Sequence, residues 1–310
     1  MNYKPFLPNT VSVSTLGFGG FPLGNISQSH IMSESEGVHL VKAAFAAGIT
    51  LFDTAPNYAL GQSETIIGKA LNEVRDRVVI VSKFGHHDDD RLDFRSSLME
   101  PSINRSLKRL QTSYLDTLLL HNPPLDILQG KTDHFHILEH LKARGVIRSF
   151  GVSLDTRDEL LTLLNHVKVD VVELLFNVFA QSTRDLFSIL HQRNIRLIIK
   201  VPLDSGWLTG AYQSIHLFSD IRSRWTEDVK IRRHTLVSQL IEMTHDPALA
   251  KYALGFIWSY PEVTTIIPGI RTMEQLNDHL SSWKYPFPVS FKESFEAFYD
   301  AHIKGCELPW

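Results

Sequence analysis

Four side chains in the first half of the chain have the types and positions needed for acid–base chemistry. Asp53 and Tyr58 lie close together in sequence, and Lys83 and His121 each stand at the end of a strongly apolar stretch. An ammonium group beside a phenol stabilises the phenolate and lowers the tyrosine pKa, and a carboxylate keeps that ammonium charged and in place. A histidine beside the reacting oxygen can orient a carbonyl or share its proton. The set therefore predicts a proton donor for reducing a carbonyl with hydride.

Structural roles are the alternative for these residues, with Tyr58 as a surface tyrosine and His121 as a core histidine whose hydrogen bonds are all made. Lys83 favours the catalytic interpretation. It closely follows the apolar run at residues 78–81, and burying an unpaired ammonium there for packing alone would be costly.

The elements that must position these residues alternate between short apolar runs and amphipathic stretches, which is typical of β/α units. Strands are predicted at residues 16–20, 49–53, 78–83, 115–121, 147–153, 169–175, 195–201 and 264–268. Helices are predicted near residues 34–47, 62–73, 98–110, 134–143, 156–166, 181–193, 228–245, 247–259 and 272–282. Asp53, Lys83 and His121 then end successive strands, where the loops of a parallel barrel carry the active site.

This order of elements predicts an α/β fold with a single (β/α)8 TIM barrel over residues 1–310. Several strands are apolar throughout, as expected for a parallel sheet covered on both faces, and no linker divides the chain. Alternation at residues 11–16 predicts an N-terminal hairpin, and the last strand is preceded by extra helices. An open doubly wound sheet is the alternative, but the glycines at 17–20 lack the G-x-G-x-x-G spacing of its dinucleotide fingerprint.

Composition argues against several other classes of function. A net charge of −3 and a pI near 6.6 give no basic surface for nucleic acid or for an anionic membrane. The one cysteine, Cys306, cannot form an internal disulfide, and no apolar run is long enough for a signal core or a membrane span. We therefore expect a cytoplasmic protein that binds neither nucleic acid nor membrane. The sequence leaves the oligomeric state open.

Several segments together resemble the aldo-keto reductase superfamily, in the family's order and across residues 10–285. They are Leu16-Gly-Phe-Gly, Phe52-Asp-Thr-Ala-Pro-Asn-Tyr, Val81-Ser-Lys-Phe, Leu118-Leu-Leu-His-Asn-Pro, Phe150-Gly-Val-Ser, Pro202-Leu-Asp-Ser-Gly-Trp-Leu-Thr-Gly-Ala-Tyr and Ile266-Ile-Pro-Gly-Ile-Arg-Thr-Met-Glu-Gln. The resemblance implies that Tyr58 is the general acid and Lys83 the partner that lowers its pKa. It also implies that Asp53 pairs with the lysine and that His121 orients the substrate.

The resemblance further implies a nicotinamide dinucleotide lying across the barrel mouth. Ser153 would hold the carboxamide. Glu173 stands where the family usually has a glutamine, so it can accept a hydrogen bond from the carboxamide but cannot donate one. Phe176 stands at the position of a stacking tyrosine and keeps an aromatic face. A structural ion pair inside the barrel is the alternative for Glu173, with Lys200 as one partner.

Two segments are expected to hold the phosphates of the cofactor. Backbone N–H groups around Leu203, Ser205 and Gly206 would bind the pyrophosphate, as glycine-rich loops do. The family usually has a serine where this chain has Val201. Lys200 is a further candidate for a phosphate charge.

The adenosine end is assigned to the helix that follows the last strand. Gly269 and Arg271 stand at its start, where a helix N-terminus and a guanidinium both favour an anionic phosphate. Gln275 would face the same group, and His279 occupies the place of an adenine-contacting asparagine. Arg271 favours NADP(H) over NAD(H), although an arginine can also stack on adenine without a 2′-phosphate.

Phe21, Phe84 and Trp207 fall on loops at the mouth and predict an aromatic pocket for the carbon skeleton of the substrate, with core packing as the alternative. Substrate choice is expected to depend on the loops at 22–32, 121–133 and 204–227.

The main prediction is a reductase of aldehydes, ketones or sugar carbonyls. The alternatives are an NAD-linked sugar or alcohol dehydrogenase and a non-catalytic, cofactor-binding regulatory subunit. No metal is expected, because hydride transfer requires none. The loop at 86–90 is predicted to be solvated, and the histidines at 134–140 lack a cysteine or carboxylate that would complete a zinc site.

Overall fold

The computed structural model describes residues 1–8, 11–24, 32–210, 212, 218 and 221–309. Its strands are β1 Tyr3–Lys4, β2 Val13–Ser14, β3 Phe18–Gly19, β4 Leu51–Asp53, β5 Val79–Phe84, β6 Leu115–His121, β7 Ile147–Leu154, β8 Val171–Leu175, β9 Arg196–Lys200 and β10 Val263–Ile266. Its helices are α1 Glu34–Ala46, α2 Gln62–Leu71, α3 Met99–Arg109, α4 Leu125–Leu128, α5 His134–Ala143, α6 Arg157–His166, α7 Phe187–Gln192, α8 Glu227–Thr244, α9 Ala250–Trp258, α10 Met273–Lys284 and α11 Ser290–His302.

The eight strands from β3 to β10 pair in parallel and in chain order. The first and last strands then meet. The Gly17 N–H donates to Ile266 O at 2.8 Å, and the Gly19 N–H donates to Pro268 O at 2.9 Å. These bonds close the sheet, and the predicted TIM barrel is confirmed.

Packing inside the barrel follows from the alternation of side chains along each strand. One buried cluster is formed by residues that face inward, and its members on the barrel strands are Leu51, Val79, Val81, Leu119, Val171 and Ile198. The hairpin of β1 and β2 lies at the opposite end from the strand C-termini, and Phe6 and Val13 join the same cluster. The predicted hairpin is therefore present, and it covers the bottom of the barrel.

The outer face of the sheet packs against the helices in a larger apolar cluster. The predicted helix at 181–193 is shorter: a 3-10 turn over Arg184–Leu186 leads into the α-helix, which spans only Phe187–Gln192. The Gln181 side chain instead donates to Val178 O and Phe295 O. Helix α11 was not predicted, although Phe291, Phe295 and Phe298 have helical spacing. Among the described helices, none is both long and apolar enough to cross a bilayer.

A buried carboxylate joins three outer segments of the barrel. Asp116 on β6 is fully buried and accepts the Ile80 N–H at 2.9 Å. It also pairs with Arg75 at 2.7 Å and with Arg148 at 2.9 Å. Both guanidinium groups lie over the Tyr114 ring, with each Cζ 4.0 Å from its centroid. Asp116 therefore has charge partners on both sides and cannot be removed without leaving them unpaired.

We predict that Asp116→Ala lowers the free energy of unfolding by about 3–5 kcal/mol, because Arg75 would be left buried without its counter-charge. Urea denaturation at neutral pH measures the change. Asp185→Ala is the matched control. It breaks an exposed pair with Arg157 and should cost less than about 1 kcal/mol. Equal losses in the two variants would contradict the prediction.

Candidate active site

The polar residues of the barrel mouth stand two residues beyond the inward-facing apolar layer. Asp53 follows Leu51 in this way, and Lys83 follows Val81. The same step separates four further pairs, which are Leu119 and His121, Gly151 and Ser153, Val171 and Glu173, and Ile198 and Lys200. Because side chains along a strand alternate between faces, the six polar groups point into the barrel at its C-terminal end.

Asp53 and Lys83 form a buried ion pair at the centre of this layer. The Lys83 ammonium lies 2.5 and 2.6 Å from the two Asp53 carboxylate oxygens and donates to Thr54 O at 3.0 Å. Burial lowers the pKa of Lys83, but Asp53 and Glu173 outweigh it and the pKa lies above its usual value. Lys83 is therefore a permanent cation, as the sequence predicts.

Tyr58 lies against this cation at the start of a tight turn. Its ring centroid is 5.0 Å from Lys83 Nζ, so the two groups that the sequence analysis paired are in contact. Ala59, Leu60 and Gly61 follow in the left-handed region, with φ of 49°, 54° and 87°. Two of these residues are not glycine, and such backbone costs energy that surrounding contacts must offset. The turn fixes where the phenol points.

The pKa of Tyr58 is expected to be lowered by Lys83, but in the structure it is raised. Lys83 does lower the pKa of Tyr58, but burial raises it by more, and Asp53 and Glu173 add to the rise. The net pKa therefore lies above that of a free tyrosine. Burial is the main reason, and the two carboxylates that face Lys83 add to it.

His121 lies edge-on to Tyr58, with ring centroids 6.1 Å apart, and its other neighbour is the His86 ring at 4.5 Å. Burial lowers the pKa of His121 well below its usual value, and the nearby charges of Lys83 and Lys200 lower it further. The imidazole is therefore neutral. Its Nδ1 has no hydrogen-bond partner among the described residues.

His86 was expected to be solvated, but it is half-buried against His121. His87 is buried, and its Nε2 lies 2.8 Å from Asp93 O. Among the described residues, no three or more His, Cys, Asp or Glu side chains are grouped to hold a metal ion.

A second network of polar contacts starts at Glu173. Ser153 donates to Glu173 Oε1 at 2.9 Å, and Lys200 donates to Ser153 Oγ at 2.8 Å. Lys200 also lies 2.7 Å from Asp155 Oδ1 and donates to Asn122 Oδ1 at 3.2 Å. Sequence reasoning missed Asp155 and Asn122. Their position could have revealed them, since each directly follows the end of a barrel strand.

Glu173 also connects this second network to the Asp53–Lys83 ion pair. Its Oε2 lies 3.7 Å from Lys83 Nζ, and it has no hydrogen-bond partner among the described residues, although Glu173 is only 1% exposed. Both interpretations given for Glu173 thus have support. It pairs with a buried lysine, and it keeps one acceptor oxygen for another group.

The loop after β9 was expected to bind phosphate through its backbone. Asp204, Ser205 and Gly206 have positive φ angles of 45°, 56° and 95°, which makes a tight left-handed turn. The Gly206 N–H donates within the loop, to Leu203 O at 2.8 Å, so that amide is already used. Leu203 itself is buried.

A buried ion pair with α8 also holds this loop in place. Arg233 on α8 donates from Nε to Asp204 Oδ2 at 2.8 Å and from Nη2 to Pro309 O at 2.9 Å. Its guanidinium carbon lies 4.1 Å from the Trp225 ring centroid. Sequence reasoning missed Arg233, because its position in the middle of a long helix gave no signal.

The segment after β10, where a phosphate site is predicted, leads into the N-terminus of α10. Gly269 bridges to Gly19 across the barrel closure, and α10 starts with Thr272 as its N-cap. Gln275 Oε1 accepts the Arg271 N–H at 2.8 Å, while the guanidinium forms no ion pair with a described residue. His279 is buried, and its ring lies beside the Gly269 backbone. Burial lowers the pKa of His279 by more than the Gly269 backbone and Asp278 raise it.

Phe176 does not fit the stacking role expected of it. Its ring is fully buried among Phe187, Phe256 and Tyr260, at centroid distances of 4.8, 5.7 and 5.3 Å. These residues lie in and beside α7 and α9, outside the barrel. A ring packed on these sides has no face free for a ligand at the mouth.

Of the three aromatic residues predicted for the substrate pocket, Phe21 alone is exposed. It is 39% exposed and packs edge-on against Tyr58 at 5.2 Å. Phe84 is fully buried and contacts the Phe94 ring, so it belongs to the core. Trp207 is also fully buried. Parts of the predicted substrate loops, at 25–31, 211, 213–217 and 219–220, lie outside the described residues.

Comparison with known proteins gives one family. The model described as "Aldo/keto reductase family" matches residues 15–300. L-galactose dehydrogenase of Arabidopsis thaliana is 26% identical over 289 residues, which are 89% of this chain and 86% of that protein.

Solved structures agree in fold. The holo form of an aldo-keto reductase from Bacillus halodurans superposes with a TM-score of 0.80 at 20% identity, over 100% of both chains. An aldo/keto reductase from Klebsiella pneumoniae in complex with NADP and acetate gives 0.70 at 22%, over 93% of this chain and 92% of its own.

We predict that His121 makes the protein less stable in acid. A histidine buried as the neutral form binds its proton only after unfolding, so stability is lost as the pH falls below about 6.5, by up to about 1.4 kcal/mol per unit. Urea denaturation of wild type and His121→Gln at pH 7 and pH 5 measures it. The variant should lose less stability between the two pH values than wild type does. Parallel losses would show that His121 does not contribute.

Proposed function

The chain belongs to the aldo/keto reductase family and is an oxidoreductase of carbonyl and alcohol groups, and we propose that it reduces an aldehyde, ketone or sugar carbonyl with NADP(H), using Tyr58 as the proton donor. One observation carries this proposal. A tyrosine lies against a lysine that a buried aspartate holds as a permanent cation, at the open end of a barrel.

Each residue of the site has a separate task in this reaction. A bound nicotinamide supplies or accepts the hydride. Tyr58 delivers its proton to the carbonyl oxygen as negative charge develops there, and Lys83 stabilises the phenolate that remains. Neutral His121 orients the carbonyl oxygen without competing as a charged acid. Asp53 keeps Lys83 in place.

The residues of the mouth fit a nicotinamide dinucleotide. The free Oε2 of Glu173 and the bonded Ser153 beside it suit the carboxamide. At the other end, the buried ring of His279 and the guanidinium of Arg271, which has no ion pair with a described residue, suit adenine and an adenosine phosphate. A buried polar atom without a partner, such as Glu173 Oε2, is rare, and a ligand that supplies the partner accounts for it.

A sugar or alcohol dehydrogenase is the second candidate, and the relation to L-galactose dehydrogenase favours it. It would use the same groups in reverse, with Tyr58 as the base. A non-catalytic, cofactor-binding role is less well supported, because a cofactor-binding subunit has no need for the costly burial of Lys83 beneath Tyr58.

We predict that Tyr58→Phe lowers kcat for reduction of a panel of aldehydes by about 10²–10⁴-fold, because the proton donor is lost. Binding of the cofactor should change little. Steady-state kinetics and cofactor fluorescence measure the two effects. Tyr3→Phe is the control, since its hydroxyl only donates to Gly48 O at the far end of the barrel. Unchanged turnover in Tyr58→Phe would refute the catalytic assignment.

We predict that Arg271→Ala weakens NADPH binding by about tenfold and NADH binding by less than about threefold, because only NADPH carries the phosphate that the guanidinium would bind. Titration of cofactor fluorescence measures both constants. Arg144→Ala, which removes an exposed arginine on another face, is the control. Wild-type preference for NADH, or equal weakening of both cofactors, would overturn the choice of NADP(H).

A further inference from the structure

Glu173 gives the mouth one more acidic group than basic. The carboxylates of Asp53, Glu173 and Asp155 form one connected network with the ammonium groups of Lys83 and Lys200. Three acidic and two basic groups leave this network one positive charge short. Lys83 lies closest to Asp53 and Lys200 to Asp155, so Glu173 has no close cation of its own. The shortage affects Asp53 as well, because burial and the neighbouring Glu173 raise the pKa of Asp53 well above its usual value despite Lys83.

The Glu173 carboxylate lies next to the place of reaction. Glu173 Oε2 is 3.7 Å from Lys83 Nζ, and that ammonium is 5.0 Å from the centre of the Tyr58 ring. The carbon that gains hydride is bonded to the oxygen that Tyr58 protonates, and a hydride donor must approach that carbon to within about 3–3.5 Å. Under the proposed function, Glu173 Oε2 and the neighbouring Ser153 hold the carboxamide of this nicotinamide, so Glu173 lies beside the ring.

Charge distinguishes the two forms of that ring, since the oxidised nicotinamide is a cation and the reduced one is neutral. We propose that Glu173 makes the site bind the oxidised cofactor more tightly than a neutral amide at the same position would, and so shifts the enzyme-bound equilibrium toward the complex of oxidised cofactor and alcohol, which is the product side of carbonyl reduction. The inference rests on the proposed nicotinamide function and adds a direction to it.

The reductive step balances with the groups present. The C4–H bond of the reduced nicotinamide breaks and its electron pair passes as hydride to the carbonyl carbon, while the Tyr58 O–H proton passes to the carbonyl oxygen and leaves a phenolate. The cation that forms beside Tyr58 lowers the pKa of the phenol and offsets the rise that burial and the two carboxylates produce. The oxidised nicotinamide thus stabilises the phenolate that proton transfer leaves.

The test is Glu173→Gln, which removes the charge and keeps the shape. We expect the ratio of Kd for NADP+ to Kd for NADPH to rise by about tenfold, as for two unit charges a few ångströms apart in a partly screened site. NADPH fluorescence gives one constant, and displacement of NADPH by NADP+ gives the other. Both are binding measurements that need no turnover.

Two further variants separate charge from shape. Glu173→Asp keeps the charge, and its ratio should stay within about threefold of wild type. Asp185→Asn removes an exposed carboxylate on the surface and should leave the ratio unchanged. An unchanged ratio in Glu173→Gln, or an equal change in Glu173→Asp, would overturn the inference alone. A wild-type protein that binds neither form of the cofactor would overturn both the inference and the proposed function.

Discussion

The burial of one ammonium group constrains the whole mouth of this barrel. Lys83 is 2% exposed, and an uncompensated charge at that depth would not be tolerated. Asp53 supplies the compensation from the neighbouring strand, and the pair joins β4 to β5 where their side chains point inward. The rest of the site is arranged around this pair. Tyr58 lies against it, and Glu173 lies beside it.

Much of this arrangement could be predicted, because it depends on the two-residue period of a strand. Asp53, Lys83 and His121 end apolar runs, so their convergence at one mouth follows from the barrel topology. The same period, applied consistently, would have corrected two errors. Phe84 follows inward-facing Lys83 and so points outward, and Phe176 stands an odd number of residues after Glu173. Both rings lie in the core.

Other features depend on tertiary contacts that no local pattern records. Arg233 lies in the middle of α8, and only the folded chain brings it to Asp204. The upward shift in the pKa of Tyr58 is of the same kind. A tyrosine, a lysine and an aspartate predict a lowered value, but burial and the additional carboxylate of Glu173 reverse the sign. Residue types predict which groups meet, whereas the balance of their charges depends on depth and on the complete set of neighbours.

The left-handed turn after Tyr58 has a consequence for any attempt to make this protein more heat-resistant. Ala59 and Leu60 occupy backbone that a glycine adopts without strain, and each costs about 1 kcal/mol or more as it stands. Selection for thermal stability alone would favour glycine at these two positions. The gain would be offset by a looser unfolded chain and by freer movement of the adjoining phenol. Under the proposed role of Tyr58, rigidity here serves the chemistry, so thermal stability and turnover would be selected in opposite directions at the same peptide bonds.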